Sequence, residues 1–153
     1  MMISIFKTGV IMLAAIIPLI VGGIIYIIWR VDSLLMFAWI ESFGLTDSLM
    51  ILRDNYKHYN IPTWALYNLP NGTWTYTFTF FMSYIWLKEI SLKKYLYICL
   101  PLLLGVFFEF GQLIKMFPGV FCYGDILAHI GGASIGYLIL LILNRGSVLN
   151  GLS

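Results

Sequence analysis

The chain has 153 residues, of which 61% are hydrophobic and only 10% charged, and its mean hydropathy is +0.91. A soluble domain carries about a quarter charged residues, so these few cannot cover a water-facing surface; the chain reads as a single integral membrane domain, 1–153. A net charge of +2, with no long basic run, speaks against nucleic acid as a partner.

The first element is the apolar run Val10 to Trp29, preceded by Lys7. It is long enough to span a bilayer, longer than a signal-peptide core, and no small-x-small cleavage site follows it. It is therefore expected to be a retained helix at about 9–29, bent at Pro18.

Residues 31–72 form a long connection with structure of its own. Leu34 to Ile40 is an apolar block containing Trp39. Thr46 and Asp47 then look like a helix start, and Leu49, Leu52, Tyr56 and Tyr59 fall on one helical face. Arg53, Asp54, Lys57 and His58 lie elsewhere on that helix, which predicts an amphipathic helix resting on a membrane surface. Arg53, Lys57 and His58 read either as its solvated face or as contacts for a lipid headgroup or anionic ligand. Asn60-Ile61-Pro62 and Leu69-Pro70-Asn71-Gly72 are turn signals. Asn71-Gly72-Thr73 also matches a glycosylation acceptor, but the turn reading suffices.

The second spanning segment, about 73–88, is ambiguous in period. Thr73, Thr75, Thr77 and Thr79 alternate with Trp74, Tyr76, Phe78 and Phe80, as in a strand. An isolated strand cannot satisfy its backbone in lipid, so a helix is expected. A third segment at about 95–116 carries Pro101, and a fourth runs at about 125–144. The fold class is thus all-α, with four transmembrane helices and a partly helical segment between the first two. Lys7, Lys88, Lys93, Lys94 and Arg145 fall on one side, which predicts cytoplasmic termini and an exterior 31–72 connection. Cys99 in the third segment and Cys122 in a loop make no disulfide framework.

Glu109 is an ionisable group inside an apolar run, and such a group is usually held there by a partner or a task. Gly105, Glu109 and Gln112 share one helical face. Asp125, Ala128, His129, Gly132 and Gly136 lie near one face of the last helix, where Gly132 and Gly136 make a small-xxx-small step for close packing. The short connection through Phe117-Pro118-Gly119 predicts that the last two helices are antiparallel neighbours. Glu109, Gln112, Asp125 and His129 could then line one outward-facing pocket. Simpler roles are available for each: Asp125 as a helix cap, His129 and Gln112 as interhelical hydrogen-bonding groups, the glycines as packing residues, and Glu109, the hardest to explain away, as a neutral, merely hydrogen-bonded acid. Asp125 and His129, with Glu109 and His58, could also share a metal ion, but their order matches no strong zinc pattern, and neither a metal nor another cofactor is expected.

The stretch Glu109-Phe110-Gly111-Gln112, then Phe117-Pro118-Gly119, then Asp125-Ile126-Leu127-Ala128-His129-Ile130-Gly131-Gly132 with Gly136 resembles the VanZ-like membrane protein family over about residues 95–144. The chain departs from the family pattern at His129, where asparagine is usual, and at Val120, where arginine is frequent. The resemblance implies a small bacterial cell-envelope protein of the cytoplasmic membrane, in a family with some members linked to glycopeptide resistance. Two function classes follow as expectations. One is binding or processing of an envelope lipid or glycolipid, with Glu109 and Asp125 as catalytic candidates and Gln112, His129, Arg53, Lys57 and His58 as ligand contacts. The other is a non-catalytic accessory subunit whose Gly132 and Gly136 face meets a membrane protein partner. A proton-linked transporter is disfavoured, since the chain lacks paired halves.

Overall fold

The computed structural model describes residues 2–30 and 35–149, with side chains described for 9–30 and 36–144. Lys7 and Arg145, which entered the orientation argument, and Leu34, the first residue of the apolar block, therefore have no described side chains. Among the described residues the chain is all helical: α1 (Met2–Trp29), α2 (Leu35–Ser42), α3 (Thr46–Tyr56), α4 (Thr63–Tyr67), α5 (Leu69–Ile85), α6 (Lys93–Leu113) and α7 (Tyr123–Leu149). Three of these contain stretches long and apolar enough to cross a membrane, Gly9–Trp29, Lys93–Leu113 and Tyr123–Asn144. That is the pattern of a multi-pass membrane protein.

The period-two stretch is helical, as the backbone argument requires. α5 has 17 residues and sits at the centre, with α1, α6 and α7 all packed against it. Its threonines are tolerated because they face protein, and the hydroxyls of three of the four find carbonyls, Thr79 having no partner among the described residues. Thr73 and Thr75 donate to Pro70 and Asn71 in the preceding turn, at 2.9 Å each. Thr77 Oγ1 donates to the Ala15 carbonyl of α1 at 2.8 Å, and Tyr76 Oη to Ala14 at 3.0 Å. The apolar core lies on the same two helices and α7: Ile11, Ala15, Tyr76, Phe80 and Leu140.

The main partner of α7 is α5, and α6 is a lesser neighbour. The glycine step explains this. A Cβ on Gly132 would overlap the Gly72 carbonyl oxygen, and one on Gly136 would stand 2.6 Å from the Tyr76 oxygen. Both backbones close together only because those side chains are missing. Gly132 and Gly136 are thus consumed inside the chain and do not form an outer face for a partner helix. Leu69-Pro70-Asn71-Gly72, expected as a turn, is instead the first turn of α5, with Pro70 at a position where a missing N–H is tolerated, and Gly72 and Thr73 of the glycosylation match are buried there.

α6 stops earlier than the hydropathy suggests. Lys115 adopts a left-handed conformation (φ 58°), and the Met116 N–H donates back to Gly111 at 2.8 Å. This closes the helix and turns the chain toward α7.

α3 departs from expectation at Arg53, which was expected on its solvated face. Its buried residue is Arg53, at 6% exposure, while Leu52 and Tyr56 are exposed. The Arg53 guanidinium reaches the C-terminal end of α1, with Nη2 donating to the Arg30 carbonyl at 2.7 Å and Nη1 to Ile27 at 3.3 Å. Carbonyls there have no intrahelical partner and carry the negative end of the helix dipole, so a cation is well placed. The Phe37 ring lies 5.0 Å from the same guanidinium. Trp29 Nε1 donates to the Tyr59 carbonyl at 3.0 Å, a second tie between the end of α1 and this region.

Candidate functional site

The ends of α1, α5, α6 and α7, with α4, surround a cavity of about 790 Å³ in which charged and polar side chains share the wall with aromatic ones. Four of the residues singled out from the sequence line it: Glu109, Gln112, Asp125 and His129, with Gly105 beside them. All lie at the end of the bundle where α1 finishes and α7 begins.

Glu109 sits one turn before the end of α6 and is 4% exposed. Its Oε2 accepts the Cys122 backbone N–H at 3.1 Å, from the loop entering α7. Oε1 is left for an incoming donor. Gln112 lies under Gly119, where a Cβ would stand 2.7 Å from its amide carbon. Among the described residues no hydrogen bond joins Gln112 to Glu109, so Gln112 lines the cavity without orienting the acid.

Asp125 lies in the first turn of α7 and is 9% exposed. Its Oδ1 accepts from Asn68 Nδ2 at 2.7 Å. Asn68 is the junction of α4 and α5, and its carbonyl also takes the Gly72 N–H at 3.1 Å. One side chain therefore fixes the start of α5 to the start of α7. Gly124 is required beside it, since a Cβ there would stand 2.8 Å from the Asn68 amide nitrogen.

His129 is 3% exposed and packed on three sides. Gly105 of α6 lies under its ring, the Trp74 ring meets it edge-on at 5.3 Å, and Thr75 Oγ1 is 2.7 Å from Nδ1. The Thr75 hydroxyl has one proton, and it points to the Asn71 carbonyl. Both contacts are hydrogen bonds at once only when Nδ1–H donates to Thr75. A neutral His129 then presents Nε2 as an acceptor.

Arg30 lines the same cavity. Its guanidinium carbon lies 4.9 Å from the Tyr67 ring centre and 5.3 Å from that of Tyr26, and among the described residues its buried Nε has no hydrogen-bond partner. Contact with the faces of two tyrosine rings holds the guanidinium in place without using its N–H donors. The backbone carbonyl of this same residue is held by Arg53, so Arg53 acts on the cavity by positioning the α1 terminus.

Arg53, Lys57 and His58 themselves are not in the cavity wall. Lys57 and His58 are exposed, with the His58 ring 4.2 Å from that of Tyr59. Among the described residues no three of His, Cys, Asp and Glu come together to hold a metal ion. Both cysteines are free.

Sequence reasoning does not select Arg30, Asn68, Thr75 or Trp74. Arg30 resembles any basic residue flanking a span, and Asn68 resembles any turn residue. One signal was available: four threonines within an apolar helix imply that their side of the helix is covered by protein.

No family model, no curated protein and no solved structure matches the chain. The VanZ-like resemblance of residues 95–144 rests on the sequence motifs alone.

Proposed function

We propose that this protein binds the headgroup of an anionic membrane lipid or lipid-linked envelope precursor in the cavity at the α1/α7 end. The observation that carries this reading is Arg30, a cation whose buried Nε has no partner among the described residues, facing a cavity shared with Glu109, Asp125 and His129. A guanidinium held by ring contacts suits a phosphate or carboxylate, which it can grip with two parallel hydrogen bonds. Glu109 Oε1 and the Asp125 carboxylate supply acceptors for hydroxyl groups, and Trp64 and Trp74 supply apolar walls. Such a site fits a headgroup combining one negative charge with hydroxyls, as in a phosphoglycerol or a glycolipid. Glu109 and His129 are also the groups able to accept a proton if the headgroup is processed.

In this reading α5 is a fourth span. Its 17 residues reach about 25 Å, at the short end for crossing, and its polar face is covered by α1, α6 and α7. The lysines at 88, 93 and 94 keep the α5–α6 connection cytoplasmic, which puts the cavity at the outer leaflet of a bacterial cytoplasmic membrane. A VanZ-like role in the cell envelope, with a link to glycopeptide tolerance, is consistent with that position. The accessory-subunit alternative loses its main support, because Gly132 and Gly136 are occupied by α5.

The test is lipid analysis of protein extracted with its surrounding bilayer. The wild type is expected to carry an anionic lipid enriched about tenfold over the membrane average, and Arg30→Ala to lose that enrichment. Bulk composition around both proteins would overturn the reading. Glu109→Gln and Asp125→Asn are expected to insert normally and to lower glycopeptide tolerance in the host.

A further inference from the structure

We propose that the lipid in the cavity lays one hydrocarbon chain in a second, apolar groove that runs from the cavity along α5 between α1 and α7. This rests on the headgroup reading and specifies the rest of the ligand. α1 and α7 both pack on α5 but touch each other little, so a gap of about 690 Å³ remains over the α5 surface. Gly72 and Gly132 form its floor, and Pro18, Leu127, Ile135 and Ile139 form its walls. No charged residue lines it. That chemistry accepts a hydrocarbon and offers nothing to a polar group.

Continuity decides the occupant. Trp64 and Asn68 line both the polar cavity and the apolar groove. Asn68 is anchored on Asp125, and Trp64, 61% exposed, stands across the join. A headgroup drawn in beside buried Glu109 leaves its chain to be housed on an adjoining apolar surface, where it displaces no polar group. The groove is such a surface. From Leu127 to Ile139 it extends about 18 Å along α7, over half of a hydrocarbon core roughly 30 Å thick. One long chain fits this length, and the chain is held by contact with the glycine floor.

Gly131 allows the groove to be filled without disturbing the bundle. It lines the groove, and a Cβ there meets nothing within 4 Å. Gly131→Trp, with Ile135→Trp as a second variant at a 52% exposed wall position, is the probe. Wild type and variants in phosphatidylcholine nanodiscs are supplied with hexadecyl phosphate or hexyl phosphate, and the retained ligand is read by native mass spectrometry. The wild type is expected to retain the long chain about tenfold better than the short one. In Gly131→Trp and Ile135→Trp this preference should fall toward one, with hexyl phosphate retained as in the wild type. An unchanged preference in both variants overturns the groove proposal and leaves the headgroup reading standing. Failure of the wild type to retain either phosphate, against a positive signal for another anionic lipid, overturns the alkyl-phosphate chemistry of both. A wild-type dimer that Gly131→Trp splits, with the chain preference intact, assigns the groove to a second copy and overturns its use for lipid.

Discussion

The α5–α7 contact and the α1–α3 contact bury opposite kinds of residue. In the first, burial follows absence of side chain: Gly72, Gly132 and Gly136 let two helices approach until carbonyls meet the facing backbone. In the second, burial follows charge: Arg53 is sequestered because three-dimensional structure places carbonyls at the α1 terminus within its reach, while Leu52 and Tyr56 of α3 stay exposed. The comparison teaches that helical periodicity identifies an element but not the face it buries. That face is set by what the neighbouring element leaves unsatisfied, which is free space in one case and orphan acceptors in the other.

The largest effect should come from the first contact. Gly132→Leu forces a side chain into the Gly72 carbonyl, and is expected to destabilise the fold by roughly 3 kcal/mol or more. Gly131→Leu, its neighbour facing open space, is expected to stay within about 0.5 kcal/mol of wild type. Thermal unfolding of both in the same detergent sharpens the contrast. Equal losses would mean that α7 is not docked through this step.

The second contact should respond next. Arg53→Ala is expected to cost about 2 kcal/mol by stripping charge-assisted hydrogen bonds from the α1 terminus. Lys57→Ala and His58→Ala, both at exposed positions, should change stability by less than about 0.5 kcal/mol. If Lys57→Ala matches Arg53→Ala, α3 is held by general charge and not by the two carbonyls. Thr77→Val follows at about 1 kcal/mol, the loss of one buried hydroxyl bond to Ala15.

The smallest effect lies in the α5–α6 connection. Glu89 accepts the Ser91 backbone N–H, and that bond, with a further one from the Ser91 hydroxyl, holds its carboxyl below its ordinary range. A depressed folded value stabilises the fold above the unfolded value and loses that contribution as pH falls through the folded one. A slight acid destabilisation should therefore be missing in Glu89→Gln. The group is fully exposed, so any difference should shrink further in high salt.

Much of the architecture was legible because lipid leaves few options. Apolar length marked the helices, and the need to satisfy every backbone group settled the alternating threonines as helical. Glu109, Asp125 and His129 were legible as a group because polar side chains near the same end of two adjacent apolar segments converge. Arg30 was not, because its role depends on Tyr26 and Tyr67 closing around it from α1 and α4. Asn68 was not, because its partner Asp125 is 57 residues away and joined through a contact that the glycines create. The burial of Arg53 was not legible for a related reason. Its cause lies in the α1 terminus, which no pattern within residues 46–59 records.

The central claim is that an anionic headgroup meets Arg30. The most direct measurement is the magnetic coupling between the Arg30 guanidinium, labelled with carbon-13, and the phosphorus of a bound alkyl phosphate in bilayers, assigned by its loss in Arg30→Lys. The account predicts coupling of direct contact, with N···O distances of about 2.8 Å. Bound phosphate with no coupling at Arg30 would contradict it.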